Sequence, residues 1–167
     1  MIRMEKILKR MLYMRYVKLT KLDQQLLEEL QKDGRKSYTE LAEKFEANVS
    51  TVSNRIQRLI DKDILKIVGV VNPFKTGNSF VVDLKIKTEL RKLEKVIDEL
   101  SAINEVRFIA STTGTYDLIA EVYTPSSYDL HQLITEKINK IDGILELDTS
   151  VLLKVHKQSY NFGVRLD

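Results

Sequence analysis

The spacing of apolar residues changes partway along this chain, and the change divides the sequence into two kinds of structure. Up to about Asp61, apolar residues recur every three or four positions, which is the period of an amphipathic helix. From Val82 onward, several segments alternate apolar and polar residues, as half-buried strands do. We therefore expect an α+β protein with a helical N-terminal domain and a mixed C-terminal domain.

The first predicted helix spans residues 21–31, where one stripe of the helix is apolar. Asp23 favours a helix start because its carboxylate lies near unpaired backbone N–H groups. Asp33 and Gly34 end the helix, and we expect Gly34 to adopt the left-handed conformation of a C-terminal cap. The stripe consists of Leu22, Leu26, Leu27 and Leu30.

Two more helices follow, and the short turn between them has helix-turn-helix spacing. The second helix spans residues 37–45 and starts with the capping-box pair Ser37 and Glu40. The third helix runs from Asn48, whose side chain we expect to cap it, to about Asp61.

The outer face of the third helix is rich in hydroxyl, amide and guanidinium groups. Such groups hydrogen-bond to DNA base edges and phosphates, whereas a purely structural surface helix more often carries Glu and Lys pairs. The pattern indicates a DNA-contacting helix, and a solvated surface helix is the alternative. The residues on this face are Ser50, Thr51, Ser53, Asn54, Gln57 and Arg58, with Arg55 on its flank.

The domain boundaries follow from segments on either side of the helices. Residues 64–71 are rich in β-branched side chains and predict a strand that leaves the first domain. The N-terminal segment carries a net charge of +5, and its apolar residues recur at the spacing of a short amphipathic helix. We expect it to pack on its own domain or a partner subunit, to contact the DNA backbone or to be a solvated tail. A translation start at Met14 is the remaining alternative. We assign residues 1–18 to a basic extension, 19–72 to the helix-turn-helix domain with its exit strand, 73–78 to a linker and 79–167 to a second domain.

The second domain is predicted to have the element order β-α-β-β-α-β, which is the ferredoxin-like arrangement. In that fold the helices cover one face of a four-stranded sheet. The expected strands are residues 79–87, 106–111, 116–123 and 144–156, and the expected helices are residues 90–100 and 126–142.

Three short runs in these strands, residues 108–110, 118–120 and 151–153, are apolar at consecutive positions. A strand that is apolar on both sides is buried on both sides. We therefore expect the sheet face away from the helices to pack against a second copy of the chain, in an interface of well over about 1,000 Å².

The composition excludes several classes of protein. The chain has no cysteine, which excludes disulfides, cysteine-ligated zinc, iron–sulfur clusters and thiol catalysis. Its two histidines, His131 and His156, do not favour a histidine metal site. No apolar run approaches the roughly 20 residues that span a bilayer. We expect a cytoplasmic protein without a metal or cofactor.

Several short motifs follow one another in order from about Leu19 to the C-terminus. They are Leu22-Asp23, Asp33-Gly34-Arg35, residues 37–42, residues 51–56, Asn72-Pro73 with Gly77, and residues 113–117. Together with the domain order, these motifs resemble the Lrp/AsnC, or feast/famine, family of transcriptional regulators. Two positions depart from the family's usual glycine, Glu46 before the third helix and Asp63 after it. A left-handed residue other than glycine costs on the order of 1 kcal/mol.

The resemblance implies a sequence-specific DNA-binding regulator that assembles as a dimer, tetramer or octamer. Two copies of the third helix, roughly 34 Å apart, then enter successive major grooves. Base edges are contacted by Ser50, Ser53, Asn54 and Gln57, and phosphates by Thr51, Arg55, Arg58 and Lys36, with Ser37 and Asn48 completing the expected interface.

The resemblance also implies a small effector, usually an amino acid, bound at subunit interfaces near a hairpin turn. Gly114 lets backbone N–H groups approach a ligand carboxylate, and Asp117 can accept a bond from an ammonium group. The alternative is that the turn is only a good hairpin, which Asp117 ties together. The expected effector residues are Thr112, Thr113, Gly114, Thr115, Tyr116 and Asp117.

Two other functions remain open from the sequence. One is a nucleoid-like architectural DNA-binding protein with weak sequence specificity. The other is an enzyme, since some relatives with this two-domain plan resemble tetrapyrrole (sirohaem) decarboxylases. Neither His131 nor His156 has a matching acid or nucleophile nearby in the sequence, so we do not expect an enzyme.

Overall fold

A computed structural model describes residues 18–164, which divide into two compact units. The first unit extends to Gly69 and takes in the chain again from Gln158, and the second unit is Val70–Lys157. The division lies close to the expected linker, but the residues from Gln158 onward, expected in the second domain, group with the first. The helical spacing noted in residues 1–18 lies outside the described residues, apart from Lys18.

The first unit folds as three helices around a small apolar core, as predicted. The helices are α1 (Lys21–Lys32), α2 (Tyr38–Lys44) and α3 (Val49–Asp61). Each helix buries one apolar stripe and leaves its other side in solvent, which is how an amphipathic sequence gains stability from tertiary packing. The core consists of Leu26, Leu30, Leu41, Ala42, Val52 and Ile56.

Local hydrogen bonds define where the first two helices start. Thr20 caps α1 through reciprocal bonds with Asp23, and Ser37 caps α2 through the same kind of box with Glu40. Asn48 occupies the N-cap position of α3, but its side chain makes no capping hydrogen bond within residues 18–164. The expectation that Asn48 caps the helix through its side chain is therefore wrong. This helix end is exposed, so water can satisfy its N–H groups.

The turns on either side of α3 use left-handed residues that are not glycine. Glu46 and Asp63 both have left-handed backbones, with φ of 51° and 54°. The prediction for Gly34 is wrong, because that residue does not have a positive φ. Instead α1 ends at Asp33, whose extended backbone (φ −148°) still donates its N–H to the carbonyl of Glu29 at 3.0 Å.

The exit segment after α3 does not form the predicted strand. None of residues 64–72 takes part in a sheet. The side chains of Ile67, Val68, Val70 and Val71 are exposed. A strand requires a hydrogen-bonded neighbour. Since the described part of the first unit contains no other strand, the β-branched composition alone is not sufficient.

The second unit is a four-stranded antiparallel sheet with helices packed on one face, as predicted. Its strands are β1 (Phe80–Thr88), β2 (Val106–Ser111), β3 (Leu118–Thr124) and β4 (Ile144–Val151), and its helices are α4 (Leu93–Ser101) and α5 (Ser127–Gln132). The strand order is β2-β3-β1-β4, so the first strand lies in the middle and pairs with β3 and β4. The core lies between the helices and the sheet and includes Val82, Leu84, Ile86, Val96, Leu100 and Ile138.

Several element ends differ from the predicted ones. β4 ends at Val151, where its pairing with Val82 ends, and not at residue 156. A 3₁₀ turn at Leu90–Lys92 precedes α4. The helix capped by Ser126 continues beyond α5 through a π turn (Leu133–Lys137) and a 3₁₀ turn (Ile138–Lys140). It is therefore helical over nearly the predicted length but is not a regular α-helix.

The open face of the sheet is more polar than predicted. The central strand β1 places Lys85 and Lys87 on this face, and the Lys85 Nζ lies 3.4 Å from an Asp148 carboxylate oxygen on β4. Large exposed apolar groups occur at Phe108 on β2 and Ile119 on β3. The apolar runs on β2 and β3 place apolar side chains on both faces of the sheet, but β1 and β4 place charged side chains on the open face. The apolar area of the open face is therefore a patch beside charged side chains, and its packing against a second copy stays a prediction.

The C-terminal segment contacts α1 of the first unit. The backbone N–H of Phe162 donates to the Gln31 side-chain oxygen at 3.0 Å, and the Gln24 amide donates to the carbonyl of Val164 at 3.4 Å. These two bonds account for the grouping of the C-terminal residues with the helical unit.

Substitution of Gly143 by alanine tests the packing of the second unit. Gly143 has a φ of 112°, and an added Cβ would lie 2.7 Å from the Lys92 Cβ. We expect Gly143→Ala to lower the free energy of unfolding by about 1–3 kcal/mol, measured by urea denaturation. The matched control is Gly69→Ala, because a Cβ at Gly69 would meet no atom within 4 Å among the described residues. Equal stability of the two variants would contradict the packing described.

Candidate functional site

An exposed polar stripe runs along α3, opposite the side that the helix buries. Ser50, Asn54, Gln57 and Arg58 are all exposed, and their spacing of four, three and one residues places them on one side of the helix. The buried side consists of Val52, Ile56 and Leu59. We call these four exposed residues the α3 stripe. It spans eight residue steps, or about 12 Å, which is comparable with the width of a DNA major groove.

The other residues expected on the outer face of α3 lie beside this stripe. Thr51 and Ser53 are half-buried, and Asn48 is exposed at the start of the helix. Within the stripe, the Gln57 amide donates to an Asp61 carboxylate oxygen at 2.8 Å, which leaves its carbonyl oxygen available to a ligand.

Arg55 points toward α1 and not toward solvent. Its Nη1 donates to the hydroxyl of Thr20 at 2.9 Å and to a carboxylate oxygen of Asp23 at 3.0 Å. Asp23 is only 2% exposed. Burial raises the pKa of Asp23, but hydrogen bonds from Thr20 and Arg55 outweigh that effect and hold the pKa below its usual value. The structure thus engages Arg55 in an ion pair between helices, which differs from the phosphate contact expected for it.

Lys36 is likewise engaged within the unit. It forms an ion pair with Glu29, which is 5% exposed and also receives bonds from Lys32 (2.8 Å) and Lys44 (2.7 Å). The three ammonium groups, Lys32 foremost, hold the pKa of Glu29 far below its ordinary value. Three cations share one carboxylate, so the cluster keeps a net charge of +2. Lys36 is therefore engaged in this cluster, and the hydroxyl of Ser37 accepts the backbone N–H of Glu40 in the capping box of α2. A phosphate contact by Lys36 stays a prediction.

The hairpin turn between β2 and β3 is held by its neighbours in the second unit. The backbone N–H of Thr88 donates to an Asp117 carboxylate oxygen at 2.8 Å, and the Lys87 ammonium donates to the carbonyl of Thr115 at 2.5 Å. Thr112 donates its hydroxyl to the carbonyl of Tyr116. The structure thus gives Asp117 the tying role that was the alternative interpretation.

The side chains at the tip of the turn make none of the hydrogen bonds found among residues 18–164. Thr113, Gly114 and Thr115 are exposed, and an added Cβ on Gly114 would meet no atom within 4 Å in the part of the chain described. Tyr116 is half-buried, and its hydroxyl donates to Glu146 at 3.0 Å, a bond that raises the pKa of the phenol. Gly114 also lacks a positive φ. Nothing within the described chain requires glycine here.

Two further kinds of feature, a metal-binding cluster and a membrane-spanning helix, are absent from the described residues. Residues 18–164 contain no cluster of three or more His, Cys, Asp or Glu side chains that would hold a metal ion. No helix in these residues is long and apolar enough to cross a membrane. His131 and His156 are both exposed.

Three functional partners were missed by the sequence analysis. Glu29 was not singled out in the first helix, and Thr88 lies one residue beyond the strand predicted at residues 79–87. Asp23 was recognised as a helix-start residue but not as the partner of Arg55. The available signal was an acid on the apolar side of a helix, since a buried carboxylate requires a cation.

Two family models match the chain. The AsnC-type helix-turn-helix domain matches residues 19–60, and the Lrp/AsnC ligand binding domain matches residues 81–162. An uncharacterised HTH-type transcriptional regulator of Pyrococcus abyssi is 36% identical over 152 residues, covering 90% of this chain and 96% of the relative. The HTH-type transcriptional regulator LrpA of Pyrococcus horikoshii is 31% identical over 133 residues, covering 79% of this chain and 94% of the relative.

Solved structures share the architecture. E. coli AsnC superposes with a TM-score of 0.78 at 25% identity, covering 86% of this chain and 97% of AsnC. The transcriptional regulator NMB0573 of Neisseria meningitidis, solved as a complex with L-Met, superposes with a TM-score of 0.78 at 19% identity, covering 85% of this chain and 94% of that protein.

Replacement of Arg55 by alanine tests its position between the helices. The change leaves the buried carboxylate of Asp23 with Thr20 as its remaining partner, and we expect the free energy of unfolding to fall by about 1–3 kcal/mol. The control is Arg58→Ala on the exposed side of α3, expected within about 0.5 kcal/mol of the native chain. Urea denaturation compares the two, and a similar effect of both would contradict the role given to Arg55.

Proposed function

The chain belongs to the Lrp/AsnC family of helix-turn-helix transcriptional regulators, and from that membership we propose how it reads DNA and senses a small molecule. Its first unit contains an AsnC-type helix-turn-helix domain, and its second unit contains the family's ligand-binding domain. The observation that carries the proposal is the α3 stripe, where hydroxyl, amide and guanidinium groups are exposed opposite a buried apolar side.

We propose that the α3 stripe reads base edges in the major groove. The amides of Asn54 and Gln57 suit the donor and acceptor pair of adenine, and Arg58 suits guanine or a phosphate. Ser50 lies near the start of the helix, where it reaches a base edge or a phosphate. Arg55 and Lys36 are assigned no base contact, because each is already paired with a buried carboxylate. They act by holding the helices that carry the reading residues.

Affinity in this scheme comes from a few placed contacts on several subunits. Residues 19–72 contain equal numbers of acidic and basic side chains, so bulk electrostatic attraction to DNA is weak. Two or more linked helix-turn-helix units multiply the strength of individually modest contacts. The apolar patch at Phe108 and Ile119 and the exposed exit segment at Val68, Val70 and Val71 support an assembly of two or more copies.

The proposed effector site is the tip of the hairpin turn. Thr113 and Thr115 offer hydroxyl groups, and Gly114 permits close approach of a carboxylate to backbone N–H groups. The L-Met bound to the Neisseria relative supports an amino acid as the class of effector. Asp117 and Thr88 fix the turn to the sheet. The effector acts by binding one assembly state more tightly than another, which any ligand-induced shift requires.

The double substitution Asn54→Ala with Gln57→Ala tests the DNA readout. Each lost amide contact to a base edge removes about 1–3 kcal/mol, so we expect sequence-specific affinity to fall at least tenfold. The measurement is a footprint on the DNA upstream of the chain's own gene, with bulk competitor DNA present. The control is Asn139→Ala, the same chemical change at an exposed residue of the second unit.

Unchanged protection by the double variant would contradict the assigned readout. Protection by the native chain that disappears as bulk DNA is added would instead indicate the architectural, weakly specific function. The thermal stability of the variants should match that of the native chain, because both side chains are exposed.

The double substitution Thr113→Ala with Thr115→Ala tests the effector turn. We expect at least one of the twenty amino acids to change the assembly mass or the operator affinity of the native chain several-fold. That response should be absent in the double variant and present in the control Thr135→Ala, an exposed threonine on the α5 side of the unit. A response that persists in the turn variant, or no response to any amino acid, would contradict the proposed site.

A further inference from the structure

A second recess lies at the other end of the hairpin from the effector turn. It is a cavity of about 320 Å³ in the second unit, between the start of β2 and the end of β3. The polar residues around it include Asn78, Asn104, Glu105, Arg107 and Asp129. β3 spans six residue steps, so the cavity and the turn are about 20 Å apart.

A bulge in β2 turns Arg107 toward this cavity. Val106 pairs with Val122 and Phe108 pairs with Glu121, so Arg107 is an extra residue on its strand. Bulges re-aim a side chain and are over-represented beside functional sites. The guanidinium of Arg107 makes none of the hydrogen bonds or ion pairs found among residues 18–164, so its five donors are available to a bound anionic group.

Glu105 supplies an unsatisfied acceptor in the same place. One carboxylate oxygen accepts from the Lys137 ammonium at 2.9 Å. The other oxygen, Oε2, is buried and has no hydrogen-bond partner in the described part of the chain. A buried carboxylate oxygen without a donor is uncommon in folded proteins and is satisfied by a bound ligand or water. A ligand in the cavity can therefore donate a hydrogen bond to Glu105 and accept hydrogen bonds from Arg107.

The charges around the cavity and its volume indicate which class of ligand it binds. Arg107 and Lys137 balance Glu105 and Asp129, so the site favours a neutral zwitterion over a phosphate or a polyamine. A volume near 320 Å³ is at the small end of ligand pockets and is sufficient for an amino acid. We propose that this cavity is a second binding site, separate from the effector turn, for an α-amino acid, with the carboxylate on Arg107 and the ammonium on Glu105.

Calorimetry on the full chain tests the site, with the twenty L-amino acids as probes. The Thr113→Ala, Thr115→Ala variant is the background, because its turn no longer offers the two hydroxyl groups. We expect at least one amino acid to bind this variant, and Arg107→Gln added to it should weaken binding about tenfold or more, the cost of a charged hydrogen bond. Arg91→Gln, an exposed arginine outside the cavity, is the matched control and should leave affinity unchanged.

Two further probes separate the ends of the ligand. For the amino acid that binds, its 2-oxo acid lacks the ammonium and its amide lacks the carboxylate, and both should bind at least tenfold more weakly. Glu105→Gln should restore part of the relative affinity for the 2-oxo acid, because it removes the negative charge.

The proposal is overturned if the turn variant binds none of the twenty amino acids, or if Arg107→Gln binds as tightly as Arg91→Gln. Equal thermal midpoints of those two variants ensure that a loss of binding is not a loss of folding. The readout is direct binding without DNA, so failure of the DNA contacts or of the effector turn leaves this test unaffected.

Discussion

The ion pair between Arg55 and the buried Asp23 sets the position of the α3 stripe. α3 buries one apolar side, which defines the helix face but tolerates small rotations and slides. The guanidinium lies 3.0 Å from a carboxylate that is 2% exposed, and a shift of the helix would leave that charge without its cation. Asn54 and Gln57, one residue before and two residues after Arg55, are thereby held toward solvent. In the proposed mode of DNA reading, this ion pair fixes the helix without touching DNA.

The two ends of the β2–β3 hairpin in the second unit lie in different environments. At the turn, Lys87 and Thr88 of the central strand bond to the hairpin backbone and to Asp117, so the turn is rigid at its base and open at its tip. At the other end, the bulge at Arg107 interrupts the ladder and opens a polar cavity. Because the central strand contacts the hairpin along its whole length, both ends belong to one packed sheet.

Much of the fold was predictable because its determinants are local. The caps at Ser37 and Ser126 are hydrogen bonds within three residues, and the left-handed turns at Glu46 and Asp63 follow from family positions usually held by glycine. The prediction of a strand in the exit segment was wrong, because a strand requires a second, hydrogen-bonded strand beside it. The described part of its unit contains no such strand. The open sheet face was misjudged because apolar runs were counted strand by strand, without the charged strands between and beside them.

The sequence by itself determined the order of elements, the helix starts, the outward groups of α3 and the family. Tertiary structure decided which charged groups are available to a ligand. The sequence around an arginine is the same whether its side chain binds a phosphate or an acid 32 residues away. Only the packing of α1 against α3 places Arg55 beside Asp23. In the same way, the bulge at Arg107 and the unsatisfied oxygen of Glu105 arise from strand pairing. The physical reason is the separation along the chain between the interacting residues. Caps and turns form within a few residues, whereas burial, ion pairs and cavities require distant segments to pack together.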